Sequence, residues 1–137
     1  MLSELVPLTL EKIMQTRSYT VVILSAKEKR FAIYTDPAFG KLLQMYLTGQ
    51  SKPRPLTHDL MQMVFQGFDI TLKQVVINDL NDTVYFARIF FEQQQGDIRE
   101  IVEIDSRPSD SILLALMSNV PLFCTREVLD KTIAIEE

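Results

Sequence analysis

The sequence predicts an α+β domain with a largely antiparallel, mixed sheet and about four helices. Two observations carry that expectation. Apolar and β-branched runs come in consecutive groups separated by turn residues, which favours antiparallel pairing. Between these groups, apolar residues recur at helical spacing rather than in alternation. A chain of 137 residues suits one domain with one core, so residues 1–137 are taken as a single unit.

In order, Val6, Leu8 and Leu10 alternate with Pro7 and Thr9, a strand in which proline marks an edge or a start. YTVVILS (19–25) reads as a buried strand. The cluster AKEKR (26–30) then turns into RFAIYT (30–35), a hairpin. Asp36-Pro37 ends that strand. Phe39, Leu42, Leu43, Tyr46 and Leu47 then form one helical face, closed by Gly49. A second helix is expected over 57–66, N-capped by Thr57, with Leu60, Met61, Val64 and Phe65 inward and Gly67 as its C-cap. Strands follow at 70–77, 83–92 and 98–105, joined by turns at NDLND (78–82) and QQQGD (93–97). A third helix is expected from an N-cap at Ser109, with Ile112, Leu113, Leu116 and Met117 as its inner stripe and Asn119 ending it. A short strand at 121–125 and a helix at 126–133 complete the chain.

Composition narrows the function. The net charge is −4 and the pI about 5.0. Proteins that hold nucleic acid are usually basic, so any such role must rest on a local patch, a bound cation or a transient encounter. Lys27, Lys29, Arg30, Lys52 and Arg54 are the local basic groups. Cys124 is the single cysteine and lies in apolar VPLFCT, which predicts a buried thiol and no disulfide framework. The first residues lack a basic segment followed by an apolar one, and no run is long enough to span a membrane, so a reducing cytoplasm is expected. P-loop, GxGxxG, CxxC and GxSxG patterns do not occur.

Two stretches stand out. RPLTHDLM (54–61) and RPSDSILLAL (107–116) both place Arg-Pro before a hydroxyl residue, an aspartate and an apolar run. Together with VINDL (76–80), FAR (86–88), VPLF (120–123) and EVL (127–129), they make residues 30–132 resemble the bifunctional nuclease domain family of bacteria and plants. The resemblance implies a compact α+β fold, homo-oligomers that are most simply dimers, and DNase and RNase activity. One departure is plain: many members carry a Gly and then a Glu-Ala pair at the first helix start. Asp36 and Phe39-Gly40 stand there instead, so no catalytic role of that glutamate carries over.

Phosphodiester cleavage needs an activated nucleophile, charge neutralisation on the phosphate and a protonated leaving group. His58, Asp59 and Asp110 are the expected catalytic residues. A helix N-terminus favours a neutral imidazole, as a general base requires. Arg54, Thr57, Arg107 and Ser109 are the expected substrate-binding residues, since a helix start with an arginine beside it suits phosphate. Asp79 and Asp105 are the expected ligands of Mg²⁺ or Mn²⁺. Each has an ordinary structural alternative: helix capping for Thr57, Ser109, Asp59 and Asp110, an ion pair with the nearby aspartate for Arg54 and Arg107, and turn formation for Asp79. A Cys124–His58 nucleophile pair is disfavoured by the apolar setting of the thiol. The function expected is a low-specificity, metal-assisted nuclease acting weakly on DNA or RNA. Its alternatives are a non-enzymatic homo-oligomeric module that binds a small anionic ligand or a protein partner, and a domain whose main property is self-association.

Overall fold

The computed structural model describes residues 4–136. Seven strands form one mixed sheet: β1 (Leu5–Gln15), β2 (Thr20–Ser25), β3 (Arg30–Thr35), β4 (Ile70–Asn81), β5 (Val84–Gln95), β6 (Ile98–Ser106) and β7 (Leu122–Thr125). Four helices accompany them: α1 (Pro37–Leu47), α2 (Thr57–Gly67), α3 (Pro108–Ser118) and α4 (Arg126–Lys131). The strand order is β3-β2-β1-β7-β4-β5-β6, antiparallel throughout except where β7 runs parallel to β4. The expected α+β class is thus present, with the mixed pairing at its centre.

β1 is longer than its alternating start suggested. Residues 5–8 pair with β7, and 9–15 pair with β2, with a register shift between Leu10 and Lys12. One strand therefore serves two neighbours, and the extra residue lets it bend between them. The NDLND stretch is mostly strand rather than turn. β4 continues to Asn81, opposite Val84, and a shift between Ile77 and Asp79 absorbs the irregularity. Asp82 alone takes positive φ (57°) at the hairpin tip. QQQGD behaves likewise, with β5 reaching Gln95 and Gly96 turning at φ 61°.

The helix starts also differ from expectation, for one reason. Proline fixes φ, lacks an N–H, and so suits the first helical position, while forcing the residue before it into extended backbone. Asp36 (φ −64°, ψ 147°) and Arg107 (φ −70°, ψ 143°) are accordingly the N-caps of α1 and α3. Ser109 falls inside α3 instead of capping it. In α2 the N-cap is Leu56, not Thr57, and Gly67 is the last helical residue, not the cap. Asn119 does end α3, in the left-handed conformation (φ 54°).

α3 is the hub. Ile112 and Leu113 enter one buried cluster with Leu24, Phe31 and Leu43, while Leu114 and Ala115 enter a second with Val75, Ile89 and Phe91. Burial therefore runs from Ser111 to Ala115 without a break, wider than the predicted stripe. Two bonds near its C-terminal end help hold the neighbouring helices to it. The Tyr46 hydroxyl donates to the Leu116 carbonyl at 2.7 Å, and the Gln62 amide donates to the Ser118 hydroxyl at 2.6 Å. α2 packs less deeply than predicted. Leu60 and Val64 are exposed, Met61 and Phe65 reach the core edge, and His58 is its one buried residue. Gly40 sits where α1 meets β2. A Cβ there would run into the Gln15 amide oxygen and the Thr20 hydroxyl, which bond to each other at 2.7 Å.

Candidate functional site

Three helix N-termini meet at one cleft of about 530 Å³. Asp36, Ala38 and Phe39 come from the start of α1, Leu56, Thr57 and His58 from α2, and Arg107, Ser109 and Asp110 from α3. Each N-terminus presents backbone N–H groups without helical partners and the positive end of a helix dipole. The convergence follows from topology, because α1 leaves β3, α3 leaves β6, and both helices and α2 lie against the same sheet through contacts centred on α3.

Within the cleft, His58 Nε2 lies 3.0 Å from Asp110 Oδ1. Arg107 holds the other oxygen, with Nε and an Nη each 3.0 Å from Asp110 Oδ2. A carboxylate only accepts, so Nε2 carries a proton and donates it to Asp110. His58 is 8% exposed, and its Nδ1 is buried without a hydrogen-bond partner among the described residues. Such an atom costs about 1–3 kcal/mol unless a ligand or water meets it. Burial runs opposite to a dyad whose histidine faces substrate. The Asp110 side chain is 33% exposed and that of His58 11%. Asp110 and Arg107 face the opening, and His58 holds Asp110 from beneath.

The other candidates divide clearly. Thr57 and Ser109 line the cleft. Asp59 points elsewhere: its carboxylate accepts from the Leu56 N–H at 2.8 Å and from Lys52 Nζ at 2.9 Å. Leu56 has no side-chain acceptor, so Asp59 reaches back to satisfy the helix start. The Lys52 bond, then the Leu56 N–H, hold the Asp59 carboxyl below its usual value. The predicted arginine partner of Asp59 is thus replaced by Lys52, whereas the Arg107–Asp110 pair forms as expected. Arg54 is exposed and does not line the cleft, although the adjacent Pro55 does.

Asp79 lies on β4, 3.8 Å from Lys131, and bonds the Leu80 N–H. Asp105 lies on β6, 3.7 Å from Arg88. The two are separated by β5, and neither lines the cleft with Asp110. Among the described residues no group of three or more His, Cys, Asp or Glu side chains is placed to hold a metal ion. Cys124 is fully buried, with burial pushing its thiol up to about 11. No helix among the described residues is long and apolar enough to cross a membrane.

Two contributors escaped sequence reading. Asp36 caps α1 without a side-chain hydrogen bond, so its carboxylate is not used on its own helix. The Asp-Pro pair could have signalled it, being a helix start of the same kind as Arg107-Pro108. Tyr19 and Tyr34 form an exposed edge-to-face pair beside the cleft, with ring centres 5.4 Å apart and planes at 87°. Nothing local in the sequence marks Tyr19, just before β2, and Tyr34, on β3, as neighbours.

The α+β domain thus gathers three helix starts, an arginine and a histidine–aspartate pair at one cleft. The model of the bifunctional nuclease domain matches residues 22–137, and the chain belongs to that family. It is also similar to the uncharacterised protein Rv1829 of Mycobacterium tuberculosis (strain ATCC 25618 / H37Rv). The two are 35% identical over 81 residues, 59% of this chain and 45% of that protein. The uncharacterised protein MT1877 of the CDC 1551 / Oshkosh strain matches to the same extent. The chain thus spans less than half the length of the curated relatives it matches.

Proposed function

We propose that the three-helix cleft binds a phosphodiester and that the protein is a nuclease of low sequence specificity, acting on DNA or RNA. The convergence of the α1, α2 and α3 N-termini carries this reading, because backbone N–H groups and dipole ends together favour an anion. Family membership supports it. In this reading Arg107 neutralises the phosphate, and Thr57, Ser109 and the first-turn N–H groups orient it. Asp110, facing the opening, takes the proton of the attacking water or hydroxyl, and solvent protonates the departing oxygen as its P–O bond breaks. His58 fixes the direction of Asp110. Asp59 serves this chemistry through the fold, by holding the start of α2 on which His58 sits.

Mg²⁺ or Mn²⁺ enters the proposal as an ion carried by the substrate phosphates, since Mg²⁺ commonly binds through phosphates and one or two carboxylates while keeping waters. Asp110 and Asp36 are the carboxylates that line the cleft. Asp79 and Asp105 are not assigned to it. The exposed apolar residues of edge strand β6 (Ile98, Ile101, Val102 and Ile104) support a homodimer through that edge. A cytoplasmic setting, in which buried Cys124 stays reduced, belongs to the same proposal.

The test is cleavage of labelled DNA and RNA with Mg²⁺, with Mn²⁺ and with a chelator. Asp110→Ala and Arg107→Ala should each lower the rate by about 10²-fold or more. Rates that the two substitutions leave unchanged would show that the cleavage comes from another protein. A second reading is a small-anion binding module, which the orphaned His58 Nδ1 favours. Saturable phosphate or nucleotide binding without any cleavage would select it.

A further inference from the structure

We infer that the substrate is single-stranded nucleic acid, held by stacking one of its bases on the Tyr19–Tyr34 pair; this rests on the phosphodiester reading of the adjacent cleft. A second groove, of about 360 Å³, runs from that cleft past β3 to the β4–β5 hairpin. Asp36, Arg107 and Ser109 line both, so groove and cleft are continuous. Tyr19, Tyr34 and Tyr85 line the groove. Tyr19 is 50% and Tyr34 63% exposed, although both are large rings. Their edge-to-face contact covers a single ring face, leaving aromatic surface turned outward.

Several features suit a nucleobase. Ser18, Thr35 and Thr83 line the groove together with the rings; the Thr35 hydroxyl donates to the Thr20 carbonyl at 2.9 Å and can still accept from a base. A base stacked there would leave its phosphate beside Arg107, at the mouth of the three-helix cleft. Duplex bases are already stacked on each other and cannot reach an aromatic wall, whereas unpaired bases can. The overall charge points the same way. At −4, the chain lacks the dense positive surface that holds duplex backbones. Stacking is much less dependent on charge, so it supplies affinity that an acidic protein cannot draw from phosphates alone.

The experiment measures binding of a fluorescent single-stranded oligothymidylate, and of a duplex of equal length, to the full chain in chelator, with gels verifying that the strands stay intact. Single strand should bind at least tenfold more tightly than duplex. Tyr34→Ala should weaken it by about tenfold and Tyr34→Phe should restore it. The salt dependence should be shallow, with a logarithmic slope of about −0.7 to −1.4, as for one or two phosphate contacts on a single strand. The chain has four tyrosines and no tryptophan, so quenching of its tyrosine emission reports the same contact. Equal affinity for duplex and single strand, no binding of the single strand, or an unchanged Tyr34→Ala would overturn the inference. Tyrosine-dependent binding without cleavage would uphold it and remove the nuclease reading. Cleavage at equal rates on both strand forms, indifferent to Tyr34→Ala, would do the reverse.

Discussion

His58 and Asp110 stand 52 residues apart in the chain and 3.0 Å apart in space, through Nε2 and Oδ1. Each occupies the first turn of its own helix, and Arg107 clamps the second oxygen of the same carboxylate. The bond ties the start of α2 to the start of α3 and gives the cleft its floor. It also makes the two residues one unit, so their substitutions should not add.

A double-mutant cycle on His58→Ala and Asp110→Ala should therefore return a coupling of about 0.5–3 kcal/mol in folding stability. Denaturant unfolding of the two single variants, the double variant and the native protein measures it. Additive losses would mean that the bond contributes nothing to joining the helices.

Asp59 should make stability depend on acid. Bonds from Lys52 and the Leu56 N–H hold its carboxyl below the usual 3.8. A carboxylate whose folded pKa is depressed adds stability above its unfolded value and loses it as pH falls through the folded one. Its contribution should be whole at neutral pH and decline below about pH 4. Asp59→Ala should cost about 1 kcal/mol at neutral pH and much less in acid, in thermal melts across that range.

Cys124 should be chemically silent in the native protein. Its thiol is fully buried and raised to about 11, chiefly by desolvation. Iodoacetamide at mildly alkaline pH should leave it unmodified until denaturant unfolds the chain, as mass spectrometry would report. Rapid native labelling would reopen a nucleophilic role.

Gly40→Ala should destabilise by about 1–3 kcal/mol, although alanine is the better helix former. The added methyl meets Thr20 and Gln15, and Thr20 is itself buried. Combining it with Thr20→Ala should recover part of the loss. Equal melting temperatures for Gly40→Ala and the native protein would show that α1 can shift outward.

Edge strand β6 should mediate a dimer. Replacing Ile101 by lysine places a charge on the exposed strand and should convert a sedimenting dimer to monomer without loss of fold. A monomeric native protein at micromolar concentration would remove the dimer from the proposal.

Local chemistry in the sequence determined a good deal. Alternating and β-branched runs placed the strands, because side-chain period is a local property of extended chain, although β1 runs on to Gln15 beyond its alternating start. The helices were legible from apolar spacing, and Asn119 from its tolerance of left-handed backbone. The Arg107–Asp110 pair was legible because both residues lie within one turn. Errors of detail also had local causes, such as proline shifting the start of α3 and hairpins that tightened to two-residue tips.

Tertiary structure alone decided the site. That Asp36, His58 and Arg107 share a cleft follows from how α1, α2 and α3 are pinned, and no periodicity encodes distances between residues so far apart in sequence. It turned Asp59 toward Lys52 and sent Asp79 and Asp105 to separate strands, where residue type alone had allowed a common metal site. Tyr19 and Tyr34 met only because β2 pairs with β3. Short-range sterics set what each segment becomes, whereas convergence is set by long-range burial, which positions side chains that local preference leaves independent.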